Sequence, residues 1–290
     1  MRNDQAANLR KKIIELQETP KTAKTIAVVS GKGGVGKSNI SLNLSLSLAE
    51  KGKKILLFDF DIGMGNINIL MGNLSTKDLS HYLYDQAELK ELIYPYTQNV
   101  SYISAGNGFS ELIDIQPSKR SDLLNELEKL QTEYDYIIFD MGAGATKTVL
   151  HVLLSVDDIF VVTTPEPTAI TDAYSMMKFI HMQQSGGRFL LICNRAENEQ
   201  QGKSSLERLQ LTVKKFLNRE VKILGVLPED KLVRQSVFEQ KAFTVKYPKA
   251  KITNVFKKMV DIYVKESFMT DSKIENNFLH KLRRFIWKEM

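Results

Sequence analysis

The segment with the clearest chemistry is the glycine-rich stretch GKGGVGKS at residues 31–38. It matches the pattern G-x-x-x-x-G-K-[ST], and it lies between an apolar, β-branched run and a helical pattern. Glycines let backbone N–H groups turn toward phosphate oxygens, and the helix N-terminus adds partial positive charge. We therefore expect Lys37 to reach the β- and γ-phosphates of a nucleotide and the Ser38 hydroxyl to bind Mg²⁺. The residues assigned to this cofactor are Gly31, Lys32, Gly33, Gly34, Val35, Gly36, Lys37, Ser38 and Asn39.

Acidic side chains at two predicted strand ends supply candidate metal ligands. Asp59 and Asp61 are two residues apart, so a strand would place both carboxylates on one face. Asp140 ends the apolar run YIIFD. Carboxylates there are costly unless a metal or phosphate site uses them, with a solvated surface turn as the alternative for the first pair. The predicted metal ligands are Ser38, Asp59, Asp61 and Asp140.

Two later strand ends could hold a base. Asn194 offers both a donor and an acceptor, and the plane of Arg195 can stack on a ring. Pro228, Glu229 and Asp230 follow the next apolar run along the chain. Taken alone, the Asn-Arg pair equally fits an ordinary loop. The sequence shows no N-K-x-D guanine motif, which favours ATP over GTP.

Seven apolar runs alternate with helical patterns along the chain. The runs cover 25–30, 54–61, 100–104, 134–140, 158–164, 188–194 and 223–229. Helices are predicted at about 38–51, 119–132, 146–155, 168–184, 204–217, 230–240 and 249–266. Near-continuous hydrophobicity indicates strands buried on both faces, and therefore a doubly wound α/β domain with a mainly parallel sheet. Its ligand would bind at the carboxyl ends of the strands, where the glycine-rich loop lies.

Composition limits the compartment and the partners. Among 290 residues there is one cysteine, which argues against a disulfide framework and against the iron–sulfur relatives of this fold. No signal peptide or spanning segment is visible, so we expect a cytoplasmic protein. Residues 1–24 carry a net charge of +3 and residues 241–290 of +7, which leaves −4 for the rest of the +6 total. An acidic body argues against nucleic acid, while basic ends suggest an anionic membrane or acidic partner, with ordinary solvated charge as the alternative.

The loop and the acidic strand ends together resemble the MinD/ParA family of ATPases. KGGVGK, with its early Lys32, resembles that family's deviant Walker A loop. This resemblance implies an ATP-bound homodimer in which Lys32 touches the partner subunit's phosphates. DFDIGMGNINILMG at 59–72 and DMGAG at 140–144 resemble the two switch regions. By this match Asp61 positions the attacking water, Asp59 supports the Mg²⁺ shell, Asp140 holds Mg²⁺, and the loops at 194–195 and 228–230 contact adenine.

One departure points to a branch of the family. Gly142 stands where MinD has proline, and the resulting D-x-G-A-G is more similar to the flagellar branch. The segment at 1–24 reads DQAANLR near its start, which resembles the N-terminal motif of the FlhG (YlxH) family of flagellar-number regulators. That resemblance implies stimulation of FlhF, a signal-recognition-particle-type GTPase, and contact with flagellar C-ring components. The resemblance assigns contact with FlhF to Asp4, Gln5, Ala6, Leu9 and Arg10 of this chain. It assigns the orientation of a hydrolytic water to Gln5. A frayed polar terminus is the alternative.

The other end, within 267–290, has an amphipathic pattern. Ile274, Phe278, Leu282 and Phe285 form one helical stripe, Ile286 flanks it, and basic residues lie opposite. This pattern is typical of a helix lying in a membrane surface, and an ATP dimer would supply two copies. A helix docked on the core of the body, 25–266, is the alternative.

The sequence thus predicts a cytoplasmic ATPase that is reversibly peripheral on the inner face of the cell membrane and controls flagellar number or placement. Three alternatives stay open. A division-site MinD would share the ATP switch, a ParA-like DNA-segregation ATPase would bind DNA with a steep salt dependence, and a metabolic enzyme would need a further substrate pocket.

Overall fold

The computed structural model describes residues 22–60, 66–72, 76–106, 116–142, 147–270 and 278–287. Its strands are β1 (Lys24–Val29), β2 (Ile55–Asp59), β3 (Tyr94–Thr97), β4 (Val100–Ser104), β5 (Tyr136–Asp140), β6 (Asp158–Thr163), β7 (Arg188–Ala196) and β8 (Lys222–Pro228). They form one eight-stranded sheet in the order β3-β4-β2-β5-β1-β6-β7-β8. Every pairing is parallel except that of β3 with β4. The predicted doubly wound, mainly parallel sheet is therefore confirmed.

The strand β3 was not among the seven predicted runs. It is four residues long, its burial alternates between half-buried and exposed, and it contains Pro95. Proline removes a backbone donor, so a strand that carries it belongs at the edge of a sheet. The edge position explains why β3 lacks the continuous hydrophobicity that marked the other strands.

Helices connect the strands and cover both faces of the sheet. They are α1 (Lys37–Ala49), α2 (Asn66–Met71), α3 (Leu79–Leu83), α4 (Pro117–Glu133), α5 (Lys147–Ser155), α6 (Pro167–Met182), α7 (Glu199–Leu217), α8 (Lys231–Phe238), α9 (Phe243–Lys246), α10 (Lys251–Thr270) and α11 (Phe278–Trp287). A 3₁₀ turn spans Leu89–Leu92. Helix α7 begins five residues before its predicted start, because Asn198 caps it by accepting a hydrogen bond from the Gln201 N–H at 2.9 Å. Among the described residues, no helix combines the length and the hydropathy needed to cross a bilayer.

Two hydrophobic cores lie on opposite faces of the sheet, since alternate residues of each strand point to opposite sides. One core contains Phe58 and Phe139 and is covered by α4, α5, α6, α7 and α11. The other contains Leu57 and Phe160 and is covered by α1, α9 and α10. Cys193 is fully buried in the first core, and burial raises the pKa of its thiol to about 12.

A cluster of charged residues lies at the end of the sheet where the parallel strands begin, which we call its amino edge. Asp158 begins β6 and is fully buried. Arg188 donates to it twice, at 2.7 and 2.9 Å, and the Tyr263 hydroxyl donates at 2.8 Å. The Lys24 ammonium lies 3.9 Å away. This cluster ties the starts of β1, β6 and β7 to α10.

Candidate nucleotide site

The glycine-rich loop adopts a backbone that glycine alone accommodates well. Gly34 and Gly36 have φ angles of 77° and 99°, in the left-handed region that side chains rarely adopt. Gly31 is required for a different reason, because a Cβ there would lie 2.0 Å from the backbone of Asp172 in α6. The loop is therefore packed directly against α6 as it leads from β1 into α1.

Lys37 is held inside this loop. Its side chain is largely buried, and its Nζ donates to the Ser30 hydroxyl at 3.0 Å. The Ser30 hydroxyl in turn donates to the Lys32 carbonyl at 2.6 Å. The structure thus places the predicted phosphate-binding ammonium at the centre of the loop, within reach of an anion seated there.

Two buried carboxylates stand beside the loop. Asp59 and Asp140 end neighbouring parallel strands and pair directly in register. Ser41 in α1 donates to Asp140 Oδ1 at 2.8 Å, and the Tyr102 hydroxyl and the Ile67 N–H donate to Asp59 Oδ2 at 3.2 and 3.3 Å. The third predicted carboxylate, Asp61, lies outside the described residues.

The donor set fits Mg²⁺. Within the described part of the chain, no group of three or more His, Cys, Asp or Glu could hold a metal ion. Mg²⁺ commonly binds through one or two carboxylates, with phosphate and water completing its shell. Asp59 and Asp140 supply the carboxylates, and Ser38 in the first turn of α1 supplies a hydroxyl.

A cavity of about 610 Å³ opens from the loop toward the predicted base contacts. Eleven predicted cofactor residues line it: Gly33, Gly34, Gly36, Lys37, Ser38, Asn39, Asn194, Arg195, Pro228, Glu229 and Asp230. A volume of this order suits a ligand of nucleotide size. Val35 differs from them, since its side chain is buried in the core.

The base end of the cavity is organised by hydrogen bonds. The Asn194 amide donates to the Val35 carbonyl at 2.8 Å, which leaves its Oδ1 as an acceptor. Glu229 lies 3.9 Å from Arg195 and 3.3 Å from Arg234. Asp230 caps α8 through the Leu232 N–H at 2.9 Å, so it has a structural role beside its place in the cavity wall.

The second lysine of the loop, Lys32, is not among the residues that line the cavity. Its ammonium lies 2.9 Å from Glu166 at the start of α6, and both side chains are substantially exposed. The two lysines of one loop therefore occupy different places, one inside the site and one at the molecular surface.

The C-terminal helix α11 is packed on the body of the protein. Phe278 and Leu282 are buried and Phe285 is partly buried in the first core. Phe278 stacks on Phe139 and Phe285 stacks on His151, with ring centroids 5.5 and 5.6 Å apart. The residues predicted to face a membrane thus face the protein here, because the apolar stripe that suits a bilayer suits a core equally well.

The remaining predicted residues of both ends cannot be placed. Ile274 and the partner-binding set Asp4, Gln5, Ala6, Leu9 and Arg10 lie outside the described residues. Ile286 belongs to α11, but the structure does not describe its side chain. The membrane and FlhF assignments of these residues stay predictions.

Several residues of the site were not predicted. Ser30, Ser41 and Tyr102 contact the loop lysine or the carboxylates, and Glu166 pairs with Lys32. Ser41 and Asp140 are 99 residues apart, and Lys32 and Glu166 are 134 apart. A serine in a helix or a glutamate before a proline carries no local signal of such a contact.

Comparison with known proteins identifies the family. A family model described as "ParA: NUBPL iron-transfer P-loop NTPase" matches residues 21–263. The chain belongs to the ParA family. The description names a P-loop NTPase, which agrees with the glycine-rich loop between β1 and α1.

Individual relatives within the ParA family indicate the branch. Antiactivator FleN of Pseudomonas aeruginosa is 30% identical over 232 residues, covering 80% of this chain and 83% of the relative. Flagellum site-determining protein YlxH of Helicobacter pylori is 36% identical over 219 residues, covering 75% and 74%. Among solved structures, the septum site-determining protein MinD of Pyrococcus horikoshii, complexed with Mg-ADP, superimposes with a TM-score of 0.67 at 26% identity, covering 85% and 98%.

Proposed function

We propose that this chain is an ATP-driven switch that dimerises on ATP, cycles onto the membrane and regulates flagellar number or placement. The observation that carries the proposal is that the two lysines of the loop, Lys37 and Lys32, lie in different places. Lys37 lies within the cavity, where its own nucleotide would bind, and Lys32 lies exposed beside it. An exposed lysine at the mouth of a phosphate site can reach the phosphates of a second subunit, as an arginine finger does.

Each residue of the site has a role in ATP turnover. Lys37 and the loop N–H groups bind and orient the β- and γ-phosphates, which requires Lys37 to turn from Ser30 toward the nucleotide. Ser38, Asp59 and Asp140 would hold Mg²⁺, which when bound neutralises charge on the phosphates. Asp61 is assigned to positioning the attacking water.

We infer that the bound nucleotide is ATP rather than GTP. Asn194 donates one N–H of its amide to the loop carbonyl, which leaves its second N–H and its oxygen for a base edge. Because these two groups could meet either purine, the preference for ATP draws on the sequence, which shows no N-K-x-D guanine motif. Turnover with each nucleotide measures this preference directly.

Dimerisation is tested by two variants of the loop. Lys32→Ala should bind ATP and stay monomeric by light scattering, while Asp61→Ala should hold ATP and remain dimeric. Lys90→Ala is the matched control, because Lys90 forms an exposed ion pair with Glu88 far from the loop. An ATP-dependent dimer of Lys32→Ala would remove the dimer assignment.

Membrane binding requires α11 to leave its docked position. Phe278 stacks on Phe139, the residue directly before Asp140, so the docked helix touches the strand that carries a metal ligand. We infer that changes around Asp140 on ATP binding loosen this contact and release α11 to an anionic surface. A dimer would present two such helices, and avidity would raise their weak individual affinity.

Vesicle pelleting tests this step. The full chain should bind anionic vesicles in ATP and much less in ADP, whereas a chain ending at Lys273 should bind in neither. Equal binding by the two chains would exclude α11 as the anchor. Retention on DNA with a steep salt dependence would instead favour the segregation alternative.

The flagellar assignment draws on the names of the two relatives and on the motif near the N-terminus. Residues 1–20 should stimulate GTP turnover by FlhF, and the same peptide with Gln5→Ala should not. C-ring components are the other expected partners. If neither the peptide nor the full chain stimulates FlhF, a MinD-type spatial regulator with an unrelated partner becomes the better interpretation.

A further inference from the structure

We propose that Ser41 and Tyr102 are positioning residues that hold the two metal-site carboxylates in the geometry Mg²⁺ needs. The inference rests on the proposed nucleotide and Mg²⁺ function. It assigns a role to two hydroxyl groups that do not line the cavity and lie behind the carboxylates.

Asp140 is oriented by the helix that follows the loop. Ser41 lies one turn after Lys37 in α1 and is fully buried. Its hydroxyl contacts the Lys37 carbonyl at 3.1 Å and Asp140 Oδ1 at 2.8 Å. One side chain thereby joins the first turn of the phosphate-binding helix to the end of β5.

Asp59 is oriented from the other side. Tyr102 in β4 is fully buried, and its hydroxyl donates to Asp59 Oδ2 at 3.2 Å. Ser104 hydrogen-bonds the same phenol oxygen, and the Ile67 N–H at the start of α2 donates to the same carboxylate oxygen. The carboxylate is thus fixed by β4 and by α2 together.

Fixed orientation matters because the two carboxylates are neighbours. Asp59 and Asp140 pair in register on adjacent strands, which lie roughly 4.8 Å apart. Two neighbouring carboxylates repel each other, so without fixed hydrogen bonds they would turn apart and lose the arrangement that one cation between them needs. A hydrogen bond that orients a metal ligand typically contributes about 10- to 100-fold to metal affinity.

The chain offers a matched control for each hydroxyl. Ser45 lies one turn after Ser41, is equally buried, and donates only to the Ser41 carbonyl at 2.8 Å among its described contacts. Tyr263 is a buried tyrosine that donates to a buried aspartate, Asp158, at the opposite edge of the sheet. Ser45→Ala and Tyr263→Phe therefore remove the same groups without touching the metal-site carboxylates.

The experiment measures Mg²⁺ binding rather than turnover. A fluorescent ADP analogue is titrated into the full-length chain in EDTA and then over a Mg²⁺ series. Ser41→Ala and Tyr102→Phe should each raise the half-saturating Mg²⁺ concentration about tenfold, the lower end of that range, and leave the affinity in EDTA within about twofold of wild type. Ser45→Ala and Tyr263→Phe should leave both quantities unchanged, and Ser41→Thr, which keeps the hydroxyl, should restore the wild-type Mg²⁺ response.

Two outcomes would overturn the inference while leaving the proposed function intact. In one, Ser41→Ala and Ser45→Ala show the same Mg²⁺ response. In the other, Ser41→Ala weakens ADP binding equally in EDTA and in Mg²⁺, which would place its effect on the loop. A wild-type chain that binds no nucleotide, or binds it without any Mg²⁺ dependence, would contradict the proposed function itself and the inference with it.

Discussion

Buried aspartates lie at the amino edge of the sheet, where the parallel strands begin, and at its carboxyl edge, where they end. The side chains that contact them differ between these two places. At the amino edge, Asp158 is met by the Arg188 guanidinium and the Lys24 ammonium as well as by the Tyr263 hydroxyl. At the carboxyl edge, the hydrogen bonds to Asp59 and Asp140 described above come from neutral hydroxyl and amide groups. The Asp158 carboxylate therefore joins elements of the fold, whereas Asp59 and Asp140 lie beside the phosphate-binding loop, where a bound Mg²⁺ would meet them.

The comparison predicts opposite consequences of mutation at the two edges. A change at the carboxyl edge should alter function and spare stability. A change at the amino edge should alter stability and spare function. The following variants are arranged to break this contrast, beginning with the largest expected effect.

Asp140→Asn should lower ATP turnover by about a thousandfold, because it removes a carboxylate that would hold Mg²⁺, the ion that neutralises charge on the phosphates. The free energy of unfolding should not fall, since the substitution relieves repulsion with Asp59 in the adjacent register position. Steady-state turnover and urea denaturation measure the two quantities. The control is Asp85→Asn, a mostly exposed carboxylate paired with Lys119. A destabilised Asp140→Asn chain would show that this edge is structural too.

Arg188→Ala should destabilise the protein by about 3 kcal/mol, because it leaves the buried Asp158 without its bidentate partner. ATP turnover per folded molecule should be unchanged. Lys222→Ala removes a more exposed ion pair with Glu266 and should change stability by less than about 1 kcal/mol. If Arg188→Ala lowers turnover without unfolding the chain, the amino edge is coupled to the site and the contrast fails.

Helix α11 sharpens the comparison, since two of its basic residues meet the body differently. Burial lowers the pKa of the Lys281 ammonium, and the Asp157 carboxylate near the amino edge opposes this shift only in part. Arg283 instead lies 2.8 Å from Glu128 on α4. Lys281→Met should therefore strengthen docking by about 1 kcal/mol, and Arg283→Ala should weaken it by about 0.5 kcal/mol. Hydrogen exchange over 278–285 measures both changes, and changes of the same sign would contradict this account.

The lowered pKa of Lys281 predicts that the docking of α11 on the body depends on pH. The pKa of this lysine in the docked state lies below the ordinary 10.5, so the undocked state binds more protons between the two values. Docking should consequently become stronger as pH rises through that window, and Lys281→Met should abolish the dependence. Limited proteolysis of α11 across the titration measures the change, because an undocked helix is cut faster than a docked one.

The parts of the structure that were predictable are those encoded by adjacent residues. The loop at 31–38, the seven predicted strands and the acidic strand ends each carry a local pattern, and parallel topology brings strand ends to one edge. Contacts such as Ser41 with Asp140 depend on the path of the whole chain and have no local signal. Whether α11 docks on the body could not be predicted for a different reason. One amphipathic stripe suits a membrane surface and a protein core equally well.

Cys193 gives this molecule an experimental advantage. The chain contains no second cysteine, and a buried thiol with a pKa near 12 has almost no thiolate at neutral pH. A cysteine introduced at the buried Leu282 would therefore be the single thiol that gains reactivity whenever α11 departs. The rate at which a maleimide modifies this cysteine would therefore measure how readily α11 leaves the body, in the presence of ATP, ADP or vesicles.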